Sequence, residues 1–139
     1  MANIVRFGVS LAEELLSEFD ALISRKDYAS RSEAIRDLIR DYLTEEAWRA
    51  GKGAAVGTVT LVYDHHTTDL QEKLTAIQHD EVDIVVSTLH VHLDHHHCLE
   101  VLVVRGPAAD IRTLADRLIG ARGVKHGKLT LVAAGKELP

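Results

Sequence analysis

Six of the nine histidines of this 139-residue chain, and its only cysteine, fall between His79 and Glu100. These are residue types that ligate first-row transition metals. His90 and His92 stand at i and i+2 in Ser87-Thr88-Leu89-His90-Val91-His92-Leu93, a stretch that reads as a β-strand. Side chains alternate across a strand, so both imidazoles leave one face while Leu89, Val91 and Leu93 leave the other. A turn at Asp94 to His97 leads into Cys98-Leu99-Glu100-Val101-Leu102-Val103-Val104. This second strand, folding back antiparallel, can carry Cys98 alongside His92. A lone strand histidine is ordinarily a satisfied, half-buried residue; three such donors on one sheet face make a candidate metal site. Glu100, two residues past Cys98, shares that face and can orient a ligand imidazole by accepting its second N–H.

The rest of the chain must position this stretch. At 139 residues it can form one domain or two very small ones, and small units commonly gain stability by oligomerising. Apolar residues at 46% against 27% charged argue against extensive disorder. One cysteine excludes an internal disulfide framework and suits a reducing compartment. No stretch resembles a signal peptide, and none has the roughly 18 consecutive apolar residues of a membrane span, so a soluble cytoplasmic protein is expected.

The N-terminal part opens with Val5, Phe7, Val9 and Leu11 alternating with Arg6, Gly8 and Ser10, the period of a half-buried strand. It has no neighbouring strand nearby in sequence, and the cheapest partner for such an edge is the same strand of a second subunit. Leu11, Leu15, Phe19, Leu22 and Ile23 then form a helical stripe, and Ala34, Ile35, Leu38, Ile39, Tyr42 and Leu43 form another. Asp27-Tyr28-Ala29 turns between them, and Ser30-Arg31-Ser32-Glu33 has the form of a capping box that starts the second helix near Arg31.

Strand, helix and capped helix in this order resemble the ribbon-helix-helix DNA-binding domain, most closely at Val5-Arg6-Phe7-Gly8-Val9-Ser10-Leu11 and Arg31-Ser32-Glu33-Ala34-Ile35-Arg36. The resemblance implies that two chains pair their strands into a ribbon that enters the major groove of double-stranded operator DNA. Arg6, Gly8 and Ser10 would then face base edges, with Ser30 and Ser32 toward phosphate at the helix start. Gly8 departs from the pattern by offering no side chain. Residues 1–48 carry six Lys and Arg against ten Asp and Glu, an acidic balance unusual for a DNA binder. A strand-swapped helical dimer without a DNA role is the competing reading.

Past Trp48, residues 49–53 read as a hinge, and the pattern then changes. Strand signals over Ala54 to Asp64, Val82 to Leu93, Cys98 to Arg105 and Lys128 to Ala133 alternate with helical spacing at Leu70 to His79 and Ile111 to Ile119. That order, βαββαβ, is ferredoxin-like. The expected class is α+β: a ribbon-helix-helix domain at 1–48, the hinge, a ferredoxin-like (ACT-like) metal-binding and tetramerisation domain at 54–134, and a tail at 135–139.

With both halves placed, the chain is similar to the nickel-responsive ribbon-helix-helix repressors of the NikR family, through Gln78-His79, Thr88-Leu89-His90-Val91-His92 and Cys98-Leu99-Glu100. The resemblance implies a Ni(2+) site of His90, His92 and Cys98 from one subunit and His79 from a neighbour, within a homotetramer built as a dimer of dimers. A planar four-donor set is expected for nickel, while zinc would draw the same atoms toward a tetrahedron. The resemblance also implies a second cation at Glu33 and Asp37 with the carbonyls of Ile119, Ala121 and Val124; a solvated acidic helix face is the alternative. His95, His96 and His97 are expected as solvated turn residues or weak secondary metal sites. His65 and His66 read as a similar loop pair, with Thr67 and Thr68 where some relatives carry basic residues, and His126 as a packed residue.

Three functions compete. A metal-gated repressor uses every feature. A zinc enzyme needs an open coordination position that four closed ligands do not leave. An antitoxin, or a metabolite sensor built on the ACT-like domain, leaves Cys98 without a task, and zinc or copper are alternative metals for the site.

Overall fold

The computed structural model describes residues 3–133. The chain divides into two compact units between Tyr42 and Leu43. In the first, helix α1 spans Glu13–Arg25 and α2 begins at Arg31. Residues 3–12 join no strand ladder within the chain. Their apolar side chains stand in the open, Ile4 83% and Phe7 68% exposed. No residue of α1 is buried, and Ala34 is the one buried hydrophobic residue among the described residues of this unit. The turn between the helices forms as its residues dictate, with Asp27 in the left-handed region, a conformation that Asn and Asp tolerate. Ser30 Oγ accepts from the Glu33 amide at 3.2 Å, while Glu33 reaches one residue further back than a standard capping box, accepting from the Ala29 amide at 3.2 Å.

The second unit starts with the last turns of α2, which ends at Arg49. Its end is a Schellman closure: Gly51 N–H donates to the Trp48 carbonyl and Lys52 N–H to that of Ala47. This closure needs the positive φ that Gly51 takes. Then follow β1 (Ala54–Asp64), α3 (Leu70–Asp80), β2 (Val85–His92), β3 (His97–Pro107), α4 (Ala108–Ile119) and β4 (Val124–Ala133). The strands form one antiparallel sheet in the order β2-β3-β1-β4, the ferredoxin-like arrangement expected.

Alternation decides which face is covered. Val59, Leu61 and Tyr63 of β1 and Cys98, Leu102 and Val104 of β3 are buried together with Leu70, Leu74 and Ile77 of α3 and Ile111, Leu114 and Leu118 of α4. The opposite face stays open, leaving Leu89 60%, Val103 40% and Val132 54% exposed. Two strand starts differ from the sequence expectation by three residues or more. Residues 81–84 form turns, closed by Ile84 N–H on the Glu81 carbonyl, so β2 starts later than Val82. β4 starts four residues before Lys128 because Val124 and His126 already pair with Tyr63 and Val62. His126 is exposed, not packed, since that register puts it on the open face. The predicted tail at 135–139 lies outside the described residues. Among those described, no helix is long and apolar enough to cross a membrane.

Candidate metal centre

The β2–β3 hairpin sets the site. Its register places His92 opposite Cys98 and His90 opposite Glu100, so all four side chains leave the helix-covered face. Asp94 closes the turn by accepting from the amides of His96 at 2.8 Å and His97 at 2.7 Å. It also lies 3.0 Å from His97 Nδ1, while Lys125 Nζ donates to His97 Nε2 at 3.0 Å. Lysine can only donate, so His97 carries its proton on Nδ1 and gives it to Asp94. Both its nitrogens are used, and His97 is a structural residue of the turn.

Cys98 is fully buried. Its Sγ lies 3.6 Å from His92 Nδ1 and 3.2 Å from His65 Nδ1. Donor atoms of His65, His92 and Cys98 all lie within 4.8 Å of one another, close enough to share one ion after small rotations. Burial pushes the Cys98 thiol up, and the carboxylates of Glu100, Asp64 and Asp94 push it the same way. Burial also holds the His65 imidazole below its ordinary value, helped by His66 and His92. A neutral imidazole facing a protonated thiol leaves both donors free of competing charge. A metal that binds here must displace the thiol proton.

His90 stands outside the three-donor group, its ring centroid 5.3 Å from that of His92. Its Nδ1 is 3.7 Å from Glu100 Oε1. Glu100 is the one buried charged residue among those described, and burial raises its carboxyl above the usual range against the opposing pull of His90 and Gln78. A chain of hydrogen bonds fixes it: Thr88 Oγ1 donates to Gln78 Oε1 at 3.0 Å, and Gln78 Nε2 donates to Glu100 Oε2 at 3.3 Å. Gln78 thus ties the end of α3 to the metal face. His79, the next residue, is exposed and lines a groove of about 630 Å³ with Tyr63, Gln71, His90 and Glu100, apart from the sulfur-centred group. The donor chemistry, one thiol and several imidazoles, fits a divalent first-row metal.

His65, expected from the sequence as a solvated loop residue or weak secondary metal site, stands beside Cys98 itself. It sits just past β1, whose Tyr63 pairs with Cys98 across the sheet, and its N–H donates to the His96 carbonyl at 2.9 Å. The signal was present in the ferredoxin-like order, which puts the end of the first strand beside the start of the third. His66 is drawn to the same turn, its Nε2 3.0 Å from the His95 carbonyl oxygen.

In the first unit Arg6, Gly8 and Ser10 are exposed, and a Cβ at Gly8 would meet nothing within 4 Å. Ser30 and Ser32 lie at the start of α2, both exposed. Of the second-cation candidates, Asp37 accepts from the Tyr28 hydroxyl at 2.7 Å and pairs with Arg40 at 3.5 Å, and Glu33 accepts from Ala29. Among the proposed carbonyls, that of Ala121 already accepts from the Val124 amide at 3.1 Å.

Comparison with known proteins follows this division. Residues 5–46 match the family model of ribbon-helix-helix proteins of the copG family, and residues 56–132 match that of the NikR C terminal nickel binding domain. A protein of Nitratidesulfovibrio vulgaris strain Miyazaki F is 56% identical over 138 residues, 99% of each chain. One of Geobacter sulfurreducens is 59% identical and one of Geotalea uraniireducens 58% identical, again over 99% of each chain. The names of all three describe nickel-responsive regulators. The uncharacterized protein TM1266 of Thermotoga maritima superposes with a TM-score of 0.52 at 14% identity, covering 58% of this chain and 99% of its own, a likeness of fold alone. By its two family matches and its full-length relatives, this chain belongs to the NikR family, with a ribbon-helix-helix part followed by a NikR C-terminal nickel binding domain.

Proposed function

We propose that this chain is a nickel-dependent, DNA-binding transcriptional repressor in which a metal shared between chains strengthens the hold on operator DNA. The observation that carries the reading is the buried Cys98 thiol flanked by imidazoles on the β2–β3 face in a chain of this family. Ni(2+) is the metal, held by His90, His92 and Cys98 of one chain and His79 of a neighbour. Bound there, nickel supplies a cross-link between the hairpin of one chain and the end of α3 in another. The chain's own groups prepare for it. Glu100, held by Gln78 and Thr88, stands ready to accept the second N–H of His90 and fix its ring. His65 can accept the Cys98 S–H before loading and donate to the thiolate afterwards. A family of regulators gives no role to a catalytic metal, and the chain is not an enzyme.

DNA recognition belongs to residues 1–48, with 49–53 as hinge and 54–134 as the nickel-binding and assembly domain. The apolar residues that residues 4–11 leave exposed call for a second copy, whose strand would complete the ribbon and the core. On that ribbon Arg6 offers a two-pronged donor to guanine and Ser10 a hydroxyl, while Gly8 leaves a gap in the reading set; Ser30 and Ser32 would face phosphate. Two such dimers joined through the second unit, with nickel between the hairpin of one chain and the end of α3 in another, make the homotetramer. Glu33 and Asp37 remain the candidates for a second cation.

The test is a gel-shift titration with and without nickel, beside light scattering. Nickel should tighten operator binding, with coupling on the order of 5- to 150-fold, in a particle of four chains. Equal DNA affinity for metal-free and nickel-loaded protein would end the regulator reading, and a stable monomer with metal present would end the shared site. X-ray absorption of the nickel protein must show a sulfur neighbour, or Cys98 is not a ligand.

A further inference from the structure

The half-buried side chain of Gln78 joins three elements. From the last turn of α3 it accepts from Thr88 Oγ1 of β2 at 3.0 Å and donates through Nε2 to Glu100 Oε2 of β3 at 3.3 Å. The orientation of its amide is forced. An ionised carboxylate only accepts, so Nε2 must face Glu100, and Oε1 is left for the Thr88 hydroxyl, which can donate. The main chain of the same residue closes the helix, its carbonyl accepting from the Glu81 amide at 3.1 Å.

Two histidines that serve different places hang on this residue. His90 stands opposite Glu100 in the hairpin register, and its Nδ1 is 3.7 Å from Glu100 Oε1, longer than a hydrogen bond. That gap closes only if the ring or the carboxylate shifts, and Glu100 cannot shift without carrying or breaking its bond to Gln78. His79 is the next residue along the chain and is exposed. Beyond it Asp80 pairs with Arg117 at 3.3 Å, the two side chains 64% and 43% exposed. An ion pair as open as that contributes little, so Gln78 is the firmer hold on the helix end that presents His79. His79 and His90 line one groove. A second copy seated there by a two-fold contact would both give and receive a donor at a single interface.

We infer that Gln78 is a positioning residue that couples neighbouring nickel sites: through Glu100 it follows how His90 is held in its own chain's site, and through the end of α3 it sets how His79 is offered to the next. The inference rests on the shared site proposed above. A ligand imidazole is fixed in one orientation with an N–H to spare, and a carboxylate beside it commonly accepts that N–H. Glu100 drawn to His90 pulls on Gln78, and Gln78 tightens the last turn of α3. His79 then ranges over fewer positions. The neighbour's site forms at a smaller ordering cost, which is positive cooperativity. Thr88 serves the linkage by holding the Gln78 amide the right way round.

The experiment is nickel uptake by the full-length protein, followed by equilibrium dialysis and by the sulfur-to-nickel absorption band. Uptake by the parent should be cooperative, with a Hill coefficient above one. Gln78→Met keeps the length of the side chain and removes both hydrogen bonds. Its Hill coefficient should fall to one, and its mean nickel affinity about threefold to tenfold, the scale of such bonds. Thr88→Val should act in the same direction more weakly, and Thr88→Ser, which restores the hydroxyl, should behave as the parent. The metal-free protein gives a readout without nickel: amide hydrogen exchange at residues 79–81 should quicken in Gln78→Met, with circular dichroism unchanged. Should Gln78→Met fail to fold, Thr88→Val and its serine counterpart carry the test. Non-cooperative uptake by the parent with the band present overturns the coupling and leaves the shared site standing, whereas uptake without the band removes the shared site and the coupling with it. The coupling is also overturned if Gln78→Met keeps the parent's Hill coefficient or leaves exchange at the helix end unchanged. The same holds if Thr88→Ser fails to restore what Thr88→Val loses, for Thr88 would then act by shape alone.

Discussion

The two units of this chain solve the same problem of burial in opposite ways. From Leu43 onward, the sheet closes its core with its own helices: Leu61, Leu102, Ile111 and Leu118 have no exposed surface at all. In residues 3–42 the apolar residues are just as regular, yet Leu15, Leu38, Ile39 and Tyr42 remain 46–65% exposed. Packing within one chain leaves the second stretch unfinished, and an exposed apolar surface of this size ordinarily marks an interface. What the difference teaches is that the donors around Cys98 are brought together by the fold of the single chain, whereas the apolar residues of the first unit are left for assembly to cover. The donors around Cys98 need only the β1–β3 and β2–β3 registers. On the proposed reading, Arg6 and Ser10 need a partner chain.

The comparison breaks most visibly at Phe7. Phe7→Asp places a charge where the paired ribbon must be apolar, and the expected result is complete loss of dimer contacts in this unit and of operator binding, with nickel uptake retained. Sedimentation and gel shift read the first two and equilibrium dialysis the third; loss of nickel uptake would show that the units are not independent. The converse variant, Cys98→Ala, should cost more than about a hundredfold in nickel affinity, since replacing even an outer partner of a metal ligand costs 10–100-fold. Helix content of the N-terminal unit should not change.

A smaller effect belongs to Glu100→Gln, which keeps the shape but removes the acceptor charge beside His90: nickel affinity should fall about tenfold, and an unchanged dissociation constant would remove Glu100 from the site. The smallest concerns the turn. Amide donation from His96 and His97 holds the Asp94 carboxyl well below the usual carboxylate range. A depressed folded-state value means that Asp94 stabilises the turn fully above its unfolded value of about 3.9 and loses that contribution as pH falls through the lower folded value. Asp94→Ala should therefore lower the melting temperature by a few degrees at neutral pH, and the gap between variant and parent should narrow in strong acid. A gap independent of pH would mean that the carboxylate charge is irrelevant.

Legibility in the sequence followed the range of the interactions. β1 was readable residue for residue because strict alternation over Ala54–Asp64 matches a half-covered strand, and the opposition of His92 and Cys98 followed from a short turn. The second helix was readable from Ser30. The place of His65 beside Cys98 was not, because the two are 33 residues apart and meet only through the β1–β3 pairing, and the local sequence at His65 is that of an ordinary loop. The early start of β4 was hidden by Gly123 and Gly127, which break the local pattern although Val124 already pairs. For residues 4–10 the alternation is clear, but a strand exists only once something pairs with it.

One feature of the metal face bears on how the protein survives handling. Oxidants and alkylating reagents act on accessible thiolates, and Cys98 offers them neither surface nor charge: it has no exposed area, and its surroundings favour the protonated form. Burial and the protonated form both act against oxidation of the sulfur while no metal is bound, and a metal that displaced the proton would cover the thiolate it creates.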